Sequence, residues 1–151
     1  MGFRAACWGA CVAVLCATGA QAQSTVGELL EKGGALVSKD DFASMLPLRA
    51  EGQWPNRQGE EVLYFSVDGK ITGTGFHYAS RTESPAVGSW AVEADGKICK
   101  PQKFTAWPNS STNNCYYMFK LGSDYYSTVK NEAGSAIRKM KSVAKVDQIP
   151  S

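Results

Sequence analysis

The side chains with the greatest capacity for chemistry are a cysteine pair, Cys99 and Cys115, and a single histidine, His77. A reactive thiol needs a nearby base or a helix N-terminus, and a zinc site needs about four Cys, His or carboxylate ligands. Because the chain has one histidine and no Cys-x-x-Cys motif, we expect no bound metal and no cofactor. An even number of cysteines in an oxidising compartment is typical of a structural disulfide, so we predict that Cys99 and Cys115 form one.

The N-terminal residues indicate that compartment. Arg4 precedes an apolar run too short to span a bilayer comfortably, and small residues stand at Ala20 and Ala22, a pattern typical of a signal peptide over residues 1–22. We predict cleavage near Ala22 and a periplasmic or secreted protein that is not integral to the membrane. The other three cysteines would leave with the signal peptide. The alternative is a retained or lipidated membrane anchor.

Catalytic residues are not evident in the chain. His77 stands between two aromatic residues in a strand-like pattern, and we interpret it as a strand histidine that is either satisfied by hydrogen bonds or exposed. Paired carboxylates could support glycoside hydrolysis, but the available acids fall in turns or at positions that the pattern places outward. These acids are Glu60, Glu61, Glu83, Glu93 and Asp95. We therefore predict no catalytic residues and a protein that is not an enzyme.

Residues 23–48 have a helical pattern. Ser24 or Thr25 can cap a first short helix, and Ser38, followed three residues later by Asp41, can cap a second. Pro47 would end the second helix. The acidic residues at its start are favoured by the helix dipole, and we do not interpret them as an acid/base pair.

From Glu51 onward the apolar pattern has period two, which is typical of β-strands. Asp68-Gly69 and Asp95-Gly96 predict tight hairpin turns. We predict a mainly β domain over residues 49–145, a small antiparallel meander barrel or curled sheet of about seven to eight short strands, preceded by one or two short helices and followed by a tail at 146–151. Strands this short lead us to expect an interior filled by side chains rather than a ligand cavity.

A binding surface is predicted in the segment between the two cysteines. It carries Lys100, Lys103, Phe104 and Trp107, and a disulfide at its ends would hold it in place and lower the entropic cost of binding. The alternative is that Phe104 and Trp107 pack into the core.

Basic residues also group near the C-terminus, at Arg138, Lys139, Lys141 and Lys145. They could contact an anionic membrane face or partner. A simpler interpretation is a basic edge strand that discourages pairing between sheets. The chain as a whole has a formal net charge of +2, which gives no argument for a nucleic-acid partner.

Several motifs resemble a known family. The segments "YFSVDGKITGTG", "GSWAVEADGKICK", "NNCYYMF" and "GSDYY" occur in an order that resembles the bacterial family labelled domain of unknown function 995. The resemblance covers about residues 34–129 and implies a small exported proteobacterial protein, without an activity or catalytic residues to transfer. A weaker likeness is to periplasmic metalloprotease inhibitors, small disulfide-bonded barrels with a tryptophan shortly before the first cysteine, as Trp90 precedes Cys99.

These observations predict an exported, non-enzymatic binding or interaction protein of the bacterial cell envelope, with a protein or envelope component as its partner. One alternative is a periplasmic inhibitor or immunity-type protein that neutralises an envelope-directed enzyme. The other is a carrier of a small apolar ligand.

Overall fold

The computed structural model describes residues 25–150, so the predicted signal peptide lies outside the described residues. Within 25–150 there are two helices and eleven strands, and the prediction of a mainly β fold is confirmed. The strands outnumber the seven or eight expected because three of them, β1, β6 and β10, have only two residues each. Neither helix is long and apolar enough to cross a membrane. In chain order the elements are α1 Val26–Glu31, β1 Ala35–Leu36, α2 Lys39–Ser44, β2 Leu48–Gln53, β3 Gly59–Phe65, β4 Lys70–His77, β5 Thr82–Ser89, β6 Ala91–Val92, β7 Ile98–Phe104, β8 Thr112–Leu121, β9 Asp124–Thr128, β10 Arg138–Lys139 and β11 Ser142–Lys145.

Both predicted helices are present with their predicted caps. The Thr25 hydroxyl accepts the Glu28 N–H at 3.3 Å, at the start of α1. At α2, the Ser38 hydroxyl accepts the Asp41 N–H and the Asp41 carboxylate accepts the Ser38 N–H, both at 3.1 Å. The hydrogen bonds from the Ser38 side chain and backbone lower the pKa of Asp41. Asp41 therefore serves as a helix cap, as its position in the sequence indicated.

The strands form an antiparallel sheet that curls into a half-barrel, in the order β10-β9-β8-β7-β5-β4-β3-β2-β11. The predicted hairpin turns at Asp68-Gly69 and Asp95-Gly96 join β3 to β4 and β6 to β7. Each turn glycine has a positive φ, +83° at Gly69 and +86° at Gly96, a backbone conformation that favours glycine.

The two edges of the sheet are connected by one short segment, residues 138–145, which we call the closing segment. Its first part, β10, pairs with β9, and its second part, β11, pairs with β2 at the other edge. Between them the Met140 N–H donates to the Tyr125 carbonyl at 2.8 Å, and the Lys141 N–H donates to the Glu51 carbonyl at 2.9 Å. The basic edge strand that we expected near the C-terminus is therefore divided between the two edges of the sheet.

Apolar side chains pack on both faces of the sheet. The larger cluster lies inside the curl, and a smaller one lies outside it, beneath α1. Tyr117 and Phe119 of β8 belong to the outer cluster, where they meet Leu29 of α1, whereas Tyr116 and Met118 face inward. Adjacent aromatic residues thus divide between the two faces, as the period of a strand requires.

The disulfide between Cys99 and Cys115 is confirmed. The two residues are directly opposite each other on β7 and β8, with their Cα atoms 4.0 Å apart. In the chain-entropy model a cross-link of this span contributes about 3 kcal/mol to stability. It joins β7 and β8 at the two ends of the binding segment that the sequence predicted.

Candidate functional site

The inner face of the half-barrel lines an open concave space of about 1890 Å³, which we call the cavity. The cavity opens at the end of the sheet where β2 connects to β3, β4 to β5, β7 to β8 and β9 to β10, and residues of all four connections line it. We call this the open end. The opposite, closed end is occupied by α2, whose Phe42 packs among the inward side chains. Side chains therefore fill the interior at the closed end, whereas the other end is open.

Three polar side chains form the floor of the cavity: Glu61 on β3 and Lys100 and Gln102 on β7. We call them the polar floor. The Lys100 ammonium donates to Glu61 Oε1, and Gln102 Nε2 donates to Glu61 Oε2 at 2.8 Å. Lys100 and Gln102 are buried, and the Glu61 side chain is only 14% exposed. Both carboxylate oxygens of Glu61 are thus satisfied by side chains from another strand.

The inward position of Glu61 corrects an expectation from the sequence, which placed this residue in a turn or on the outer face. In β3, Glu61 shares the inner face with Leu63 and Phe65, which are both buried. Strand alternation puts every second residue on the same face, so the apolar pattern already contained this signal. A charged residue rarely faces inward without a partner, and Lys100 is that partner here.

Tyr116 lies beside the polar floor. The Lys100 ammonium is 5.9 Å from the centre of the Tyr116 ring, within the range of a cation–π contact. Burial of the phenol, with the nearby Glu61 carboxylate as a second cause, raises the pKa of Tyr116 well above its ordinary value. Tyr116 is therefore a neutral phenol at physiological pH. Lys100 and Glu61 pair with each other, so neither stands free as a nucleophile or a base.

Aromatic rings form one side of the cavity near its opening. Trp54, Phe104 and Trp107, which we call the aromatic wall, have ring centres 4.9 to 5.8 Å apart. The His77 ring lies 6.0 Å from that of Trp54 and 6.3 Å from that of Trp107. Gly75 makes room for the wall, because a Cβ atom at this position would lie 2.3 Å from the Phe104 ring. The packing of Phe104 therefore requires that residue 75 has no side chain.

His77 has a local partner, as the strand-histidine interpretation anticipated. Its Nδ1 lies 3.0 Å from the Ser80 hydroxyl in the β4–β5 connection. Within residues 25–150, no group of three or more His, Cys, Asp or Glu side chains is arranged to hold a metal ion.

Two buried polar atoms of the site have no hydrogen-bond partner. They are Trp54 Nε1, a donor, and Gln102 Oε1, an acceptor, and they are the only such side-chain atoms among residues 25–150. Buried polar groups in folded proteins are nearly always paired, and an unpaired one costs about 1–3 kcal/mol. Both residues line the cavity. The site thus has one free donor and one free acceptor.

Basic side chains surround the opening. Three basic side chains line the cavity there, and we call them the cationic rim. They are Arg57 of the β2–β3 connection, Lys130 of the β9–β10 connection and Arg138, the first residue of β10. Arg138 Nη1 donates to the Trp54 carbonyl at 3.2 Å. No carboxylate among residues 25–150 forms an ion pair with any of the three.

The four residues predicted to bind a partner are only partly brought together. Lys100 and Phe104 point into the cavity from β7, and Trp107 packs against Phe104. Lys103 alternates to the outer face and is exposed. The connection between β7 and β8 is limited to residues 105–111, because both strands extend into the segment that we had expected to be a loop. Sequence reasoning missed Trp54, Glu61 and Gln102 as parts of the site.

The fold and the site together define a class of protein: a small disulfide-bonded antiparallel half-barrel whose concave face is aromatic and cationic at its open end. Comparison of the chain with protein-family models, with curated proteins and with solved structures gave no match. The resemblances drawn from the sequence motifs therefore stay predictions.

Proposed function

We propose that this protein is an exported, non-enzymatic binding protein of the bacterial cell envelope, and that its ligand binds in the open end of the half-barrel. The observation that carries the proposal is the cavity of about 1890 Å³ with a buried polar floor and an aromatic wall. Ligand sites are typically concave and lined by apolar and aromatic side chains with a few placed polar groups. The export itself is supported by the N-terminal sequence pattern.

The distribution of exposed apolar residues favours a ligand in the cavity over a protein docked on the outer surface. The large exposed apolar side chains of residues 25–150 lie on separate elements and connections, whereas a protein interface normally needs a contiguous apolar patch. These residues are Leu30, Val67, Tyr78, Val87 and Val129. An inhibitor or immunity-type role is therefore less well supported than ligand binding.

Absence of catalysis is part of the proposal. Of the groups that could act as acid or base in the cavity, Glu61 and Lys100 are paired with each other, and His77 has a contact with Ser80. Covalent catalysis usually requires a nucleophile, a base in hydrogen-bond reach and a third group that orients the base. The Ser80 hydroxyl is within reach of His77, but no carboxylate among residues 25–150 forms a hydrogen bond with His77 to orient it. A binding protein does not require such catalytic groups.

The experiment uses the protein produced by bacterial export and incubated with a small-molecule extract of the cell envelope. Native mass spectrometry should then detect an adduct of defined mass. Asn114→Trp is the blocking variant, since Asn114 is exposed, lines the cavity and stands opposite Lys100. Lys103→Trp is the matched control, because Lys103 is exposed on the outer face of the neighbouring strand.

We expect the adduct on the wild type and on Lys103→Trp and its loss from Asn114→Trp. An extract that leaves the wild type without an adduct would contradict the proposal. Equal loading of Asn114→Trp would show that the ligand binds outside the cavity, which also contradicts it.

A further inference from the structure

We infer that the ligand of the open end is an amphipathic anion, with an apolar body on the aromatic wall and an anionic head at the cationic rim. This inference rests on the proposed function and names the chemistry of its ligand. It differs from the apolar carrier considered from the sequence, because a neutral apolar molecule would leave the charges of the cationic rim unused.

The first support is the distribution of charge. The chain has 16 basic and 14 acidic residues, which is nearly balanced. Of the described residues that line the cavity, six are basic and one is acidic. The basic ones are Arg57, Lys97, Lys100, Lys130, Arg138 and Lys139, and the acidic one is Glu61. Such a cleft concentrates positive potential and raises the local concentration of anions.

Contacts within the protein account for three of these charges and leave the rim. Lys100 is neutralised by Glu61, Lys139 pairs with Asp124 at 2.7 Å, and Lys97 lies 5.9 Å from the centre of the Tyr117 ring in the outer cluster. The remaining positive charge of the cavity is thus located at its opening rather than at its floor. An anionic head would be bound where it remains in contact with water, which lowers the desolvation cost of the charge.

The Arg138 guanidinium and the backbone of Arg57 meet at the Trp54 carbonyl, at the opening. The Trp54 carbonyl accepts both Arg138 Nη1, at 3.2 Å, and the Arg57 backbone N–H, at 2.9 Å. One donor of the Arg138 guanidinium is used in this way, and a guanidinium has five. The others are available for a carboxylate, sulfonate or phosphate group, which a planar guanidinium binds with two parallel hydrogen bonds.

The second support is the interior below the rim. The aromatic wall presents three rings, and the almost fully buried Leu63 and Phe65 close the cavity toward α2. An apolar body placed here would be stabilised by roughly 25 cal/mol for each Å² removed from water. The side chains of Gln102 and Trp54 also line this space, but their unpaired atoms, Gln102 Oε1 and Trp54 Nε1, are themselves buried away from it.

The test compares two dyes with the same ring system. 1-Anilinonaphthalene-8-sulfonate carries an anionic group, and N-phenyl-1-naphthylamine lacks it. By fluorescence titration at low ionic strength, we expect the sulfonate to bind the wild type about tenfold more tightly than the neutral dye. Dodecanoate should displace the sulfonate, and dodecyltrimethylammonium should not.

Three variants locate the charge effect. Arg138→Gln should weaken binding of the sulfonate by about five- to tenfold and leave the neutral dye within about twofold. Lys130→Gln should act in the same direction, and its side chain has no bond within residues 25–150 whose loss could disturb the fold. Lys103→Gln, on the outer face, is the control and should change neither affinity.

The outcomes separate this inference from the proposed function. Equal affinity for the two dyes, with binding of both lost in Asn114→Trp, would overturn the anionic class while supporting a ligand site in the cavity. If neither dye binds the wild type, the inference is overturned, and the envelope-extract experiment still decides whether the cavity binds anything.

Discussion

The two ends of the half-barrel are built by the same strands and differ in composition. At the closed end, Phe65 of β3 meets Phe42 of α2, with ring centres 5.7 Å apart, and Ile98 of β7 is fully buried. Four residues away on each strand, at the open end, the inward positions are Glu61 and Gln102. One end is thus completed by its own helix, and the other is lined by polar groups that bond to each other.

Two tryptophans show the same difference at the level of single atoms. Trp90, at the closed end, packs on Phe42 and donates its Nε1 hydrogen to the Ser66 carbonyl at 3.0 Å. Trp54, at the open end, is also packed among rings, but its Nε1 is buried without a partner. The closed end is complete without a ligand, whereas the open end has hydrogen-bonding capacity that the protein does not use.

The largest expected effect lies at the closed end. Phe42→Ala removes a fully buried ring that contacts Phe65 and Trp90, and such truncations destabilise by about 3–5 kcal/mol. Urea unfolding followed by circular dichroism measures the change. Under conditions where the variant is still folded, its affinity for the anionic dye should equal that of the wild type. A weaker affinity would show that the two ends are coupled.

Much of the closed end and of the frame could be predicted from the sequence, because the signals are local. The Ser38 cap and the Asp68-Gly69 turn act within a few residues, and strand alternation places Leu63 and Phe65 on one face. The disulfide followed from counting cysteines in the predicted mature chain. Each of these features depends on neighbours along the chain.

The polar floor could not be predicted in the same way, because its contacts span the curl. Glu61 and Lys100 lie on β3 and β7, which are separated by β4 and β5 in the sheet. They meet across the interior because the sheet is strongly curled, and the degree of curl is not encoded in any short segment. Trp54 was missed for a related reason. It follows β2, and its neighbours come from far along the chain, Phe104 from β7 and Trp107 from the β7–β8 connection.

The ion pair of the polar floor gives the next effect in size. Lys100→Met leaves the Glu61 carboxylate in a low-exposure site without its counter-charge, which we expect to destabilise by about 3 kcal/mol. The double variant with Glu61→Gln should recover most of that loss, since no uncompensated charge remains. A double-mutant cycle by urea unfolding measures both. Additive losses would mean that the two side chains do not interact across the interior.

The two tryptophans are compared by the same conservative change. Trp90→Phe removes a satisfied hydrogen bond and some packing at the closed end, so we expect a loss of about 1–2 kcal/mol. Trp54→Phe removes a buried donor that has no partner. Removing that unpaired group is favourable, which offsets part of the free energy lost with the packing of the larger ring. The net cost of Trp54→Phe should be below about 1 kcal/mol. Thermal unfolding of the two variants in parallel tests the order, and a larger loss for Trp54→Phe would contradict it.

The smallest effect concerns the closing segment, which holds the two edges together at the side of the cavity. Lys141 pairs with Glu60 of β3, and the Tyr78 hydroxyl donates to the same carboxylate at 2.8 Å. The hydrogen bond from Lys141 is the larger cause and that from Tyr78 the smaller, and both lower the pKa of Glu60 below its ordinary value of 4.5. The hydrogen bond to Glu60 raises the pKa of Lys141 above 10.5.

A carboxylate with a lowered pKa stabilises the fold above its ordinary pKa, and the stabilisation is lost as the pH falls through the lowered value. For the lysine the direction is reversed, so the stabilisation is present below 10.5 and lost as the pH rises through the raised value. The pair therefore contributes fully between about pH 4.5 and 10.5. Because both groups are partly exposed, the contribution should be less than about 1 kcal/mol.

Lys141→Met should reduce stability within that window and make it less sensitive to acid, as measured by urea unfolding at pH 7 and at pH 3. Lys145→Met is the matched control in the same segment, because the Lys145 ammonium donates to the neutral Ser44 carbonyl, at 3.2 Å. An equal change in acid sensitivity in both variants would show that the Glu60 pair is not its source. If acid sensitivity changes only in Lys141→Met, the Lys141–Glu60 ion pair holds the middle of the closing segment to β3, next to the cavity.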